Sequence, residues 1–215
     1  MKAELFYLEL DNRWELEELS RTSSAYTQLY SFFYSILPNT YENNEIRILY
    51  AHLPWRGGYS TVNFFYSVHK LIPSTHRPQI QRIHYASPGF IELAGVISVA
   101  SLVAFAVSKV STALTTANQT YRQIQQGIRD NRLNQLKANI EELQLTTQQA
   151  AYTEKACRQL IQTLGINPEQ DQILEVRTKG NKVMKLKLLM SVYRRTEKLA
   201  EKQAEGKLKV RNPAP

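Results

Sequence analysis

A single cysteine, Cys157, is all the thiol chemistry this sequence holds. That excludes an intramolecular disulfide and fits a reducing compartment. Its neighbours Ala156, Leu160 and Ile161 share a helical pattern, so Cys157 reads as a small core residue and not as a nucleophile. The N-terminus, MKAELFYLELDNRW, lacks an uninterrupted apolar run and meets Glu4 and Glu9 early. No cleavable secretory signal is expected, and the chain should be cytoplasmic or associated with an inner membrane.

Other absences bear on chemistry. There is no G-x-x-x-x-G-K-[ST], no G-x-G-x-x-G, no H-E-x-x-H and no Cys/His cluster at metal spacing. These gaps leave no signature of a phosphate loop, a dinucleotide fold or a zinc site. His52, His69, His76 and His84 all fall in the first 88 residues, with spacing that demands no metal. Glu17-Glu18 and Glu141-Glu142 read as solvated helix faces and not as general acid/base pairs. The expectation is a non-enzymatic protein with no catalytic residues, no cofactor and no metal.

Charge is nearly missing from one stretch. Residues 89–108 carry only Glu92, and no proline interrupts 89–167. PGFIELAGVISVASLVAFAVSK, residues 88–109, therefore reads as one apolar helix, with Ser87 as N-cap and Pro88 in the first turn. Phe90, Glu92, Gly95, Ser98, Phe105 and Lys109 mark it as a candidate membrane helix. Its length is just sufficient to span, since a span needs about 20 residues. Small residues Ala94, Ser98 and Ser101 occupy one side and Val96, Val99, Val103 and Val107 the other, a sidedness that a buried soluble helix shares. The basic residues that follow would hold the C-terminal part in the cytoplasm. The N-terminal part would then have to cross without a signal, so a re-entrant, interfacial or latent insertion suits the sequence better than a simple span.

The remaining pattern predicts a mixed α+β chain. Residues 1–87 form a small α/β domain in βαβαβ order: a strand over KAELFYLEL, a helix from Trp14 to Leu37, a strand over EIRILYAHL, a helix over TVNFFYSVHKLI and a strand over QIQRIHYAS. Residues 110–164 form a coiled-coil helical region, either continuous with the apolar helix or folded back near Gly127. Gly165 and Pro168 end it. Residues 165–215 are expected to hold a β-hairpin around Lys179-Gly180-Asn181, a basic helix and a frayed KVRNPAP tail.

The net charge of +8 belongs to the second half, where residues 165–215 carry 12 Lys/Arg against 6 Asp/Glu. Lys179, Lys182, Lys185, Lys187, Arg194 and Arg195 are the candidate contacts to an anionic surface, either lipid head groups or nucleic acid. In the first half, Trp55, Arg56, Gly57, Gly58 and Tyr59 form the candidate ligand-binding turn, because an arginine among aromatics can stack on a base or hold a phosphate. The ligand itself is not specified.

The run RIHYASPGFIELAG, with a short α/β domain before it and an apolar helix and coiled coil after it, resembles uncharacterised bacterial proteins in which a Ser-Pro step leads into a hydrophobic helix. The resemblance brings no catalytic residues; it implies an association with defence against viruses. The first expectation is a membrane-associated homo-oligomer whose N-terminal domain recognises a ligand and shifts the apolar helix between buried and inserted states. The alternative is a soluble coiled-coil adaptor with a nucleic-acid-binding basic C-terminus.

Overall fold

A computed structural model describes residues 2–40, 43–52, 57–133 and 145–211. Strand β1 (Ala3–Leu10) leads into helices α1 (Leu16–Ser35), α2 (Asn44–His52) and α3 (Gly57–Leu71). A hairpin of β2 (Gln79–His84) and β3 (Gly89–Val96) follows. Helices α4 (Ile97–Thr112), α5 (Leu114–Asp130), α6 (Thr147–Leu164), α7 (Pro168–Arg177) and α8 (Lys182–Ala204) come next, and β4 (Leu208–Val210) closes the described chain. The fold is mixed α+β.

The four strands form one sheet in the order β2-β3-β1-β4, with every neighbouring pair antiparallel. This is the strand order of interleaved, split β-α-β units, enlarged by extra helices. Alternation along β1 sends Phe6, Leu8 and Leu10 inward, where they meet Ile91 and Leu93 of β3, the buried face of α4 and, at Phe6, the Tyr26 ring of α1. Helix α8 is the spine of the helical layer, in contact with α1, α4 and α6.

The apolar stretch is not one helix. Residues 89–96 are the strand β3, flanked by β1 and β2, and the helix starts only at Ile97. Pro88 lies in the β2-β3 connection after a cis Ser87-Pro88 bond. Gly89 is required there, because a Cβ would sit 2.5 Å from the His84 carbonyl oxygen. Strand alternation explains the difference: Phe90, Glu92 and Ala94 face Glu9, Tyr7 and Leu5 on one side of the sheet. Glu92, expected one turn into a helix, instead accepts a 2.7 Å hydrogen bond from the Tyr7 hydroxyl. Helix α4 does show the sidedness read from its sequence. Its valines Val99, Val103 and Val107 are buried, while Ser98, Phe105 and Lys109 are exposed.

Three further expectations change. EIRILYAHL is largely the helix α2, because Ile46, Leu49 and Tyr50 fall at helical spacing and the Asn43 side chain accepts from the Ile46 amide at 3.0 Å. The hairpin around Lys179-Gly180 is a turn between two helices. Both residues have left-handed φ (51° and 71°), the Gly180 amide bonds back to the Glu175 carbonyl, and the Asn181 side chain caps α8 through the Met184 amide. The tail is ordered as far as β4, which pairs with Leu8, Glu9 and Leu10. Of the two courses open to residues 110–164, the chain takes the fold-back and not the single long helix. Helix α5 leaves α4 at 93°, and α6 returns along it, with the Tyr152 hydroxyl donating to the Ile124 carbonyl at 2.9 Å. Gly127 leaves room for that ring, since a Cβ would lie 2.1 Å from the Tyr152 hydroxyl.

Glu18 ties α1 to the end of the chain through Lys202 (2.6 Å) and Lys207 (3.0 Å). The two ammonium groups, Lys202 foremost, hold its carboxyl below the ordinary value of 4.5. Its contribution to stability is therefore full above that value and is lost as pH falls through the depressed folded value. Urea melts between about pH 6 and pH 3 should show a drop that is shallower in Glu18→Gln.

Candidate anion-binding cleft

Trp55 and Arg56 lie outside the described residues, and Gly57, Gly58 and Tyr59 open α3. The aromatic run that follows is mostly core, with Phe64 and Phe65 fully buried. Phe65 has a second role, since the Arg195 guanidinium lies 4.1 Å above the centre of its ring.

The six basic residues taken from the C-terminal sequence separate. Lys182 pairs with Glu154 of α6 at 3.5 Å. Lys185 is 7% exposed and is held by Asp171 at 2.7 Å and Glu175 at 2.6 Å, both from α7. Lys187 is half-buried, and burial lowers its pKa. Lys179 sits in the turn before α8. Of the six, Arg194 and Arg195 reach a cleft whose described lining holds no carboxylate.

That cleft, of about 510 Å³, lies between α1, the N-terminal half of α3 and α8. Helix α1 contributes Ser20, Arg21, Ser24 and Gln28, which recur at helical spacing. Thr61 comes from α3, and Arg194, Arg195 and Lys198 come from α8. Arg195 organises the site. Its Nε donates to Gln28 Oε1, and its Nη1 donates to the Ser191 carbonyl (2.8 Å) and hydroxyl (2.6 Å). Among the described residues Nη2 makes no hydrogen bond, and neither Arg194, Arg195 nor Lys198 forms an ion pair. Burial, reinforced by Arg194 alongside, pulls the Arg195 pKa down to about 10, so the group remains a cation at neutral pH. Among the described residues the cleft is lined by hydroxyls but by neither imidazole nor carboxylate to activate them.

A neighbouring cleft shares Arg21 and Lys198 but is lined by Glu15, Glu17, Glu18 and Glu201. Carboxylates thus line one end of the α1/α8 groove and, among the described residues, not the other. Elsewhere, Cys157 is buried and its thiol is pushed up to about 12, chiefly by burial, which removes it as a nucleophile at neutral pH. The His76 and His69 Nδ1 atoms meet the hydroxyls of Tyr34 (2.9 Å) and Ser31 (3.3 Å). Among the described residues no three His, Cys, Asp or Glu side chains are arranged to hold a metal.

Sequence reading singled out Arg194 and Arg195 but not Arg21, Gln28 and Lys198, which line the same cleft from a distant segment or the following turn. It also grouped them with lysines that serve the fold. Lys185→Ala should lower the urea midpoint clearly more than Lys182→Ala, whose ammonium is 41% exposed, because it leaves two carboxylates without their buried cation. Neither lysine lines the cleft. No protein-family model, no curated protein and no solved structure matches this chain.

Proposed function

We propose that this is a non-catalytic binding protein that takes a compact, phosphate-bearing ligand of nucleotide size into the α1/α3/α8 cleft. The observation that carries this reading is Arg195: a half-buried guanidinium stacked on Phe65, held by neutral acceptors, with no counter-charge among the described residues. Desolvating a cation without an anion is costly, and a phosphate oxygen at Nη2 would offset that cost. A planar guanidinium suits phosphate because its donors match pairs of oxygens. The cleft volume falls within the range of small-molecule sites. The neighbouring glutamates oppose a long polyanion laid along the same groove, which favours a compact ligand over a nucleic-acid strand.

Calorimetric titration with ATP and with inorganic pyrophosphate tests this. Binding of both is expected, and Arg195→Ala should weaken it by about 10- to 100-fold, the loss of a charge-assisted hydrogen bond. Arg195→Lys keeps the charge but loses the fork, and should recover only part of the affinity. Failure of the unmodified chain to bind either probe sinks the reading.

A second reading keeps the membrane-associated, self-associating protein. It draws support from α4 and α5, which together meet the length and composition of a span although bent by 93°; no single described helix does. In this reading α4 must leave a core in which Val103, Val107 and Val110 are fully buried. With α4 held in that core, alkaline carbonate should release the chain from a membrane pellet. Retention would favour the second reading over the first.

A further inference from the structure

We propose, resting on the anion-binding reading of the cleft, that Gln28 is its positioning residue and Ser24 its second ligand contact. Both line the cleft, four residues apart on one face of α1. The hydrogen bonds that join them to Arg195 can run in one direction only, because a guanidinium donates and never accepts. Arg195 Nε must therefore meet the oxygen of the Gln28 amide. That leaves the amide nitrogen turned to Ser24, whose Oγ accepts from it at 3.1 Å. A hydroxyl that accepts still has its own hydrogen to give. Elsewhere on α1, Thr27 and Ser31 spend that hydrogen on the carbonyl four residues back; among the described residues the Ser24 hydroxyl donates to nothing.

Arg195 is fixed by the same arrangement. Phe65 lies under the guanidinium, Ser191 takes Nη1 through its carbonyl and hydroxyl, and Gln28 takes Nε. The donors left over are Arg195 Nη2 on one side of the Gln28 amide and the Ser24 hydroxyl on the other. Two donors set apart by one side-chain amide suit two oxygens of a phosphate or pyrophosphate, which accept only when ionised. The amide is the group such a site needs. A carboxylate at position 28 would neutralise Arg195, and an aliphatic side chain would leave Nε unheld; an amide orients the cation and leaves its charge to the ligand.

Calorimetric titration with pyrophosphate tests both roles. Gln28→Met keeps the length and helix preference of the side chain and should weaken binding by about 3- to 10-fold, as should Ser24→Ala, each on the scale of one hydrogen bond. Because Gln28 acts through Arg195, adding Gln28→Met to Arg195→Ala should cost less than about 2-fold more, whereas a merely structural residue would cost the same in both backgrounds. The ligand-free, unmodified chain provides an independent arm. In heteronuclear NMR spectra its Arg195 Nε–H should be protected from solvent exchange, and Gln28→Met should remove that protection. If the unmodified chain binds neither ATP nor pyrophosphate, the reading of the cleft falls and the positioning role with it. If Arg195→Ala weakens binding but Gln28→Met does not, or costs as much without Arg195 as with it, the positioning role alone falls. An Arg195 Nε–H that exchanges freely in the unmodified chain overturns it as well, and full affinity in Ser24→Ala removes the second contact.

Discussion

Eight consecutive residue pairs join β1 to β3, from Ala3 with Val96 to Leu10 with Gly89. This ladder determines what the apolar stretch can be. Once Gly89–Val96 is committed to a strand, the helix that remains, Ile97–Thr112, has 16 residues, and at 1.5 Å per residue reaches about 24 Å. A bilayer core is about 30 Å thick. The same ladder places the one carboxylate of the stretch, Glu92, beside the Tyr7 hydroxyl, where it is hydrogen-bonded on the sheet and not exposed at a lipid boundary. Composition made the stretch look like a span; pairing makes it a central strand followed by a core helix.

The second organising element is α8, and the fate of each of its cations depends on the helix it faces. Helix α7 presents Asp171 and Glu175 to Lys185, α6 presents Glu154 to Lys182, and the first turn of α1 presents Glu18 to Lys202. Beyond Glu18, α1 carries no acidic residue at all. Where α8 passes this part of α1, Arg195 finds an amide and, below it, an aromatic ring. The cleft therefore arises from a local lack of carboxylates in α1 as much as from the arginines of α8. Neutralised lysines hold the helices together, and Arg195, which has no counter-charge among the described residues, remains available.

Much of the architecture was legible because it is periodic. β1, β2, α1, α3, α6 and the final turns of α8 follow their expected periods, and Gly165 ends α6 in the left-handed conformation assigned to it. The losses have physical causes. GFIELAGV alternates, but a central strand lined by apolar neighbours has the composition of a buried helix, and only its pairing with β1 distinguishes the two. The α2 segment looked β-branched and alternating, while the Asn43 cap and the Ile46, Leu49, Tyr50 spacing decided for helix. Lys179-Gly180 has the chemistry of a tight turn, and such turns join helices as readily as strands. β4 is three residues long and exists only because β1 offers an edge. Of the cleft, the arginines were readable as charge, but their support was not, since Gln28 and Arg195 are 167 residues apart.

The two halves of the sequence signal meet at α3. The Trp55–Tyr59 turn was singled out as ligand-binding, and α3 begins within it, at Gly57. One turn later Thr61 lines the cleft, and one turn beyond that Phe65 carries Arg195. The N-terminal half of a helix adds positive potential of the same sign as the arginines opposite it. On the proposed reading, a ligand in the cleft would touch α1, α3 and α8 together. Its binding energy is then stability for that three-helix contact, because it adds only to the state in which all three are assembled. α8 also packs on α4, so the same binding would hold the apolar helix in its buried position.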